Sequence, residues 1–500
     1  MAEYDLTPLD WLLRLGEKLQ ARRARIDYWR RYYDGDQDLP AGPSQHAAAY
    51  KRFQRTARTN LCRLCVESMV PRLQITGYRE GRGTNQVDNP VWKLWQNAKM
   101  DSRQYSIWRK AISRSAGYVI VGVDPRNSTV PRVTIEGPEN VIVECDPADP
   151  HRRLAALRLW YDSISRRWMA TLYLPGTRYH WQTKLGQNTG LVSDTDPNSR
   201  GLSFRPDKWE ERAEPGRSLK DIPVVPFYNG DPGEEPTAEF EAGISDQNRL
   251  NLTLLNRLTA ERYGAFRQRY LTNYEPIIDE VSGLPIAPFN PGADQVITIP
   301  PPEAGQPESK IGDLQQTDTS SMLRAVEADM RAFAAVTVTP VYYLPGDLVN
   351  IGADSIMALD AGHVAKIRQR MGYWGEDMEE VLSLMADVAG IDRDLSSSEV
   401  VWARPENFNP AAVADYASKL KAAGMPLPMI AEEMGWSPQR VAQLRTEIAS
   451  QSFLNSLGAP RPPVAGGNDT TQQPPNSGTQ GQPPPPPVTG GAAGPPTDGR

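Results

Sequence analysis

The middle of this 500-residue chain constrains its fold most: a long helical pattern is broken by a proline-rich insert and then resumes. Residues 239–271 read as one helix, with Leu250, Leu254, Leu255 and Leu258, then Phe266 and Tyr270, at helical spacing. Residues 272–317 hold eight prolines, which lack the amide donor a helix needs. Ile277-Ile278 and Val296-Ile297 predict small strands there. A helix returns over Ser320–Ala335 through Met322, Val326, Met330 and Phe333. Residues 337–352 are a loop by their Pro340, Pro345 and Gly346, yet they carry Val341, Tyr342, Tyr343, Leu344, Leu348 and Val349. A near-heptad stripe from Val364 to Met385 then predicts a helix over residues 353–389. Gly372 and Gly375 inside it cost about 1 kcal/mol each relative to alanine and suggest a kink.

The flanks are easier to classify. Thr7 as N-cap, Pro8 at the first helical position and Asp10 in the first turn start a helix that ends at Asp34-Gly35. Its apolar stripe includes Leu9, Leu12, Leu13, Leu19, Ile26, Trp29 and Tyr33. Arg14, Lys18, Arg22, Arg23, Arg25, Arg30 and Arg31 form a basic face, either solvated, subunit-facing or nucleic-acid-binding. Helical runs follow over residues 52–73, 90–100 and 105–117, with Trp92, Trp95 and Trp108 as packing anchors. From Tyr118 to Tyr228 the period becomes two, which predicts strands. A short strand at Val400–Ala403 precedes helices over residues 410–423, 428–434 and 438–450. From about residue 457 the chain has twelve prolines, nine glycines and no aromatic residue, a composition expected to be disordered. The fold class expected is α+β.

Composition and motifs exclude more than they select. Three cysteines argue against a disulfide scaffold, and no apolar run approaches the ~18 residues of a membrane span. With no secretory leader at residue 1, a soluble protein made in a cytoplasm is the expectation. Gly-x-Ser-x-Gly, Walker A and His-Glu-x-x-His signatures are missing, so no enzyme and no cofactor are indicated. Gly81-Arg82-Gly83 reads as a surface turn. Cys62 and Cys65 sit within an apolar helical stripe and read as core, since a structural zinc needs four ligands and only Cys145, His46, His151, His180 and His363 remain to supply them. Asp146, Asp149 and His151, between prolines, read as a turn before they read as a metal or acid–base cluster. Residues 429–444 resemble a helix-turn-helix, with Gln439, Arg440 and Gln443 where base-reading side chains would stand, but helix–Gly–helix corners are common in plain helical packing.

The net charge of −6 rules out a globally basic coat for nucleic acid, but its distribution is uneven. Residues 271–321 hold eight acidic side chains (Glu275, Asp279, Glu280, Asp294, Glu303, Glu308, Asp313 and Asp318) against Lys310 alone. The helix before them carries Arg249, Arg257, Arg262, Arg267 and Arg269. The acidic segment reads either as a solvated protrusion or as a surface that DNA passes without sticking.

Over residues 5–455 the layout resembles tailed-phage portal proteins of the Gp6-like superfamily, in their actinobacteriophage form. The landmarks are Tyr32-Tyr33-Asp34-Gly35, Asn60…Leu73…Gly77, and Trp92…Trp95-Gln96-Asn97…Met100 leading to Gly117-Tyr118-Val119. Pro223-Val224-Val225-Pro226-Phe227…Asn229 then precedes Glu239-Phe240…Gln247…Asn251. Pro340…Tyr343-Leu344…Gly346-Asp347…Asn350 comes before the long helix, and Trp402…Pro405 before Lys419-Leu420…Gly424. Ile351-Gly352-Ala353 departs from the family, where a Ser-containing helix start is expected.

The resemblance implies an α/β wing (1–238), a stem helix (239–271), a β-containing clip (272–317), a second stem helix (318–336), a tunnel loop (337–352), a long kinked helix with a helical crown (353–456) and a tail (457–500). It implies a dodecameric ring through which double-stranded DNA passes, with terminase, head-completion or adaptor proteins, major capsid protein and scaffold as partners, located at the virion's portal vertex. The tunnel-loop residues Val341, Tyr342, Tyr343, Leu344, Asp347, Leu348 and Asn350 would face DNA, Tyr342, Tyr343 and Leu344 through apolar and ring contact. The clip's Glu275, Asp279, Glu280, Asp294, Glu303 and Glu308 would keep the exit non-adhesive, beneath stem arginines Arg257, Arg262, Arg267 and Arg269. A helix-turn-helix regulator and another head component (scaffold or minor capsid protein) are the alternatives.

Overall fold

The computed structural model describes residues 6–40, 48–81, 88–184, 202–231, 233–264, 269–273, 278, 281, 283, 307, 310–313, 319–343, 353–406 and 410–458. The chain divides into two units, Met1–Glu447 and Ile448–Arg500. The described part of the second, residues 448–458, is helical. Everything below concerns the first. The tail beyond residue 458 and the strands expected at Ile277 and at Val296-Ile297 lie outside the described residues.

Helix α1 (Pro8–Asp34) starts as its sequence dictates: Thr7 and Asp10 exchange the two bonds of a capping box, Pro8 opens the first turn, and Gly35 closes the helix at φ 85°. The run expected over residues 52–73 is two helices, α2 (Ala48–Thr56) and α3 (Leu61–Met69). Asn60 separates them, because its carboxamide accepts the Arg63 amide and donates to the Tyr33 carbonyl, capping a new helix. Strand β1 (Ile75–Arg79) leads to α4 (Pro90–Asn97) and α5 (Met100–Arg114).

Two sheets follow. One contains β2 (Ala116–Asp124) and β3 (Asn127–Glu136). The other contains β4 (Val141–Asp146), β5 (Asp149–Asp162), β6 (Arg167–Leu174), β7 (Thr177–Thr183) and β8 (Trp209–Arg217), paired in that order. β9 (Val224–Tyr228) returns to the first sheet, giving the order β3-β2-β9.

Helix α6 (Ile244–Gly264) is shorter than the 239–271 pattern predicts, because Arg269–Thr272 is a strand, β10. β10 pairs antiparallel with β11 (Lys310–Asp313), from Arg269 opposite Asp313 to Thr272 opposite Lys310. Helix α7 (Ser320–Val336) packs back along α6, with Arg249 and Thr253 both bonded to Asp329. Helix α8 (Ala353–Ala389) runs through Gly372 and Gly375 as one helix of about 55 Å. β12 (Glu399–Trp402) pairs with β1, and α9 (Pro410–Ala422), α10 (Leu427–Glu433) and α11 (Pro438–Gly458, its residues from 448 on in the second unit) are the last described elements.

Three clusters of buried side chains hold this unit together. The largest joins the second half of α1 to α3, α5, β2 and α8, and is centred on Trp108, which stacks on Trp374 at 5.1 Å and meets Phe227 edge-on. The first half of α1 lays Trp11, Leu12, Leu15 and Leu19 on the five-stranded sheet. Gly16 lies directly against the Phe204 ring there. A third cluster, with Tyr118, Ile120, Val141, Val143, Ile222 and Val224, lies between the two sheets.

Each basic side chain of the α1 face has a partner within the chain. Arg14 and Lys18 pair with Glu144, Arg22 donates to the Pro138 carbonyl, and Arg23 donates to the Glu139 carbonyl over the Trp168 ring. Arg25 reaches Glu235 and Glu241, Arg30 pairs with Asp27, and Arg31 with Asp38. Arg14, Lys18, Arg22, Arg23 and Arg25 tether α1 to the sheets and the α6 approach, while Arg30 and Arg31 pair locally.

The remaining motif candidates resolve in the same way. Cys62 and Cys65 are fully buried, and burial pushes both thiols up. Asp146 and Asp149 close the β4–β5 hairpin, accepting the amides of Ala148 and His151. The α10–α11 corner turns at Gly435, but its second helix begins packed on β1, Pro438 against Gly77. A groove-reading helix needs that end free. Among the described residues no helix is long and apolar enough to cross a membrane, and no group of three or more His, Cys, Asp and Glu could hold a metal.

Candidate functional site

The junction where α7 hands the chain to α8 gathers the most unusual side chains. α7 ends in a tight turn in which Val338 takes φ 50°, a conformation a β-branched residue adopts only under constraint. The Thr337 hydroxyl bonds to the Phe333 carbonyl and to the Thr339 hydroxyl. Residues 341–343 then form one 3-10 turn.

Helix α8 holds this turn with a polar stripe. Asp360, His363, Lys366 and Arg370 recur three or four residues apart, so they share one face. Asp360 and His363 are almost fully buried, at 4% and 1% exposure. Lys366 donates to the Thr337 carbonyl at 2.7 Å, and His363 Nδ1 lies 3.0 Å from the Val338 carbonyl. Burial, then the Lys366 charge, lowers the His363 pKa, so a neutral ring bridges this contact.

Further along, Glu239 sits between Lys366 (3.0 Å) and Arg370 (3.5 Å). Burial raises its carboxyl, but the two cations outweigh that and hold it below the ordinary range. Arg370 also donates to the Asn229 carboxamide oxygen. Sheet β2-β9, the approach to α6 and the end of α7 are thus all fastened to one helix.

The two tyrosines expected to face DNA point their hydroxyls inward. Arg72, on the turn after α3, donates to both the Tyr342 and Tyr343 hydroxyls at 3.0 and 2.9 Å and to Asp360 at 2.6 Å. Tyr342 in turn donates to the other Asp360 oxygen at 2.9 Å. Burial acts to lower the Arg72 pKa; Asp360 and the two tyrosines reverse that and raise it. Burial and then the Asp360 bond raise Tyr342, so that phenol stays protonated. Val341 is exposed beside them. Leu344, Asp347, Leu348 and Asn350 lie outside the described residues.

Of the four arginines expected on the first stem helix, Arg257 pairs with Glu261 and Arg262 stands over the Phe53 ring at 5.5 Å. Arg267 lies outside the described residues, and Arg269 occupies β10. Glu275, Asp279, Glu280, Asp294, Glu303 and Glu308 all lie outside them. Sequence reasoning missed Arg72, Asp360, His363, Lys366 and Glu239. The available signal was four polar residues at helical spacing on the edge of the apolar α8 stripe.

A family model for the phage portal protein, SPP1 Gp6-like, matches residues 13–448. The chain belongs to that family of phage portal proteins. It is therefore a portal, or head–tail connector, protein, and its family is structural. Two solved structures are distantly similar. A chain from the neck of a native GTA particle, computed with C12 symmetry, gives a TM-score of 0.40 at 10% identity, over 82% of this chain and 99% of that one. One from the neck of an empty GTA particle, computed with C6 symmetry, gives 0.38 at 11%, over 79% and 95%. No curated protein sequence matches the chain significantly. In this portal protein the α7–α8 junction lies where the family resemblance puts the tunnel loop.

Proposed function

We propose that this portal protein assembles into a closed dodecameric ring at one vertex of a phage head, and that double-stranded DNA passes through its axis during packaging and ejection. The family match over residues 13–448 carries the reading. The helix pair α6–α7 with a two-stranded ribbon beyond it supports a stem and clip, and the α7–α8 connection supports a tunnel loop. In this reading residues 1–238 form the wing, 239–271 and 318–336 the stem, 272–317 the clip, 337–352 the tunnel loop and 353–456 the long helix and crown.

Val341, Leu344, Asp347, Leu348 and Asn350 face the passing duplex, while Tyr342 and Tyr343 anchor the start of the loop. The acidic clip residues Glu275, Asp279, Glu280, Asp294, Glu303 and Glu308 repel phosphates, so DNA slides past and is not held. The clip docks terminase and later the head-completion proteins, and the wing meets capsid and scaffold proteins. The protein is made in the host cytoplasm, ends in the virion and has no catalytic activity. Negative-stain microscopy of the purified chain tests this: rings with an axial hole are expected, and a monodisperse monomer under every assembly condition would overturn it.

A further inference from the structure

Away from the α7–α8 junction, a cleft of about 730 Å³ opens between the two sheets of the N-terminal half. Its walls come from β2, β3 and the turn between them on one side, and from β5, β6, β7 and β8 on the other. Five arginines and one histidine line it, against a single carboxylate, Asp124. That carboxylate is already used, accepting the Arg126 amide at 2.7 Å.

The five guanidiniums are not equivalent. Arg158 is satisfied by Glu136 at 2.6 Å and stacks over Trp160 at 4.8 Å. Arg126, Arg132, Arg178 and Arg212 make no ion pair among the described residues. The Arg178 Nε is buried with no hydrogen-bond acceptor, although a buried donor left unmade is costly. His180 stands beside them, bonded to the Thr171 hydroxyl at 3.2 Å. On α1 every basic side chain found an internal partner, whereas these four stand in a concave site without an ion pair among the described residues.

We propose that this cleft binds an extended acidic segment of a partner protein, carboxylates to Arg126, Arg132, Arg178 and Arg212 and apolar side chains to Ile120, Val123, Trp160 and Tyr173. Three features favour a peptide over nucleic acid. The lining mixes guanidinium with aliphatic and aromatic groups, which suits a segment that carries both acidic and apolar side chains. Trp160 already carries Arg158 on one face of its ring, which reduces the platform it offers for base stacking. Both β3 and β8 are outer strands of their sheets, the kind of edge an extended segment can join. The planar fork of arginine matches carboxylate bidentately. The inference does not depend on the channel reading.

The test is fluorescence anisotropy of the full chain with a labelled twelve-residue peptide of alternating glutamate and valine, and with a labelled oligothymidylate of equal charge. Saturable peptide binding that weakens with added salt is expected. It should fall at least tenfold in the Arg132→Glu/Arg212→Glu variant and several-fold in Arg126→Glu, a turn residue whose replacement leaves the thermal melt unchanged. The oligonucleotide should bind more weakly than the peptide. No saturable peptide binding, or equal binding by the wild type and Arg126→Glu, would overturn the proposal. Tighter binding of the oligonucleotide, lost in the same variants, would also overturn it and give the cleft to nucleic acid.

Discussion

Single residues at the α7–α8 junction carry unequal weight. Among the described residues Asp360 is the only carboxylate bonded to Arg72, and both side chains are nine-tenths buried or more. Asp360→Ala leaves a buried guanidinium without its counter-charge, which costs about 3–5 kcal/mol. Tyr342→Phe removes one neutral phenol from a network that keeps its ion pair, so about 1 kcal/mol is expected. Urea denaturation of the two variants should rank them in that order, and equal losses would mean that the ion pair is not the anchor. Asp377 and Glu379 on α8 add a pH dependence. Burial pushes both carboxyls up to about 7, with Arg153 opposing it at Asp377 and Glu376 reinforcing it at both. The unfolded groups titrate near 3.8 and 4.5, so between there and 7 the folded chain holds protons that the unfolded chain has released. Their contribution therefore declines as pH rises towards 7. Buried His363 acts in the opposite sense, since its lowered pKa means that stability falls as pH drops below 6.5. Asp377→Asn removes only the Asp377 share of the first slope, and the variant should gain stability relative to the wild type between pH 5 and pH 8. An unchanged difference in urea midpoint across that range would refute it.

At the scale of elements, local rules and tertiary contacts divide the work. The start of α1 was legible because Thr7, Pro8 and Asp10 act within one turn. Its basic face was not, because Glu144, Glu139 and Glu235 lie more than a hundred residues away in the chain. The α6–α7 pair and the long α8 were legible from apolar spacing. The end of α6 was misplaced because Tyr270 fits helical spacing while β11 recruits it into a ribbon. The polar stripe of α8 was overlooked because burial of Asp360 and Lys366 depends on Arg72, Glu239 and the α7 turn, which no window of sequence contains. Gly16 shows the two influences in conflict. Alanine is a better helix former than glycine by about 1 kcal/mol. A Cβ at residue 16, however, would run into the Phe204 ring carbons, packed beside Trp209. Overpacking of this kind costs about 1–3 kcal/mol, so Gly16→Ala should lower the melting temperature. A rise would mean that Phe204 moves aside freely.

For the whole molecule, the open question is what covers its exposed apolar side chains. An isolated exposed leucine needs no explanation. Here Leu323 and Val336 of α7 and Met357 and Leu359 of α8 are all exposed, at 45–53%, on the two helices that flank the junction. The family's portal function supplies a reason. A closed ring needs a heterologous interface in which one face of each subunit meets a different face of the next. If these helices supply one such face, Leu323→Glu with Leu359→Glu places charge where the neighbour would pack but disturbs nothing inside the subunit. The melt of the isolated subunit should then stay unchanged while rings disappear from micrographs and sedimentation shifts to the monomer. Rings that survive the double substitution would move the interface elsewhere and leave the portal reading intact. A lowered subunit melt would instead show that these leucines pack within the subunit, and the two results are separable because stability and assembly are measured on the same sample.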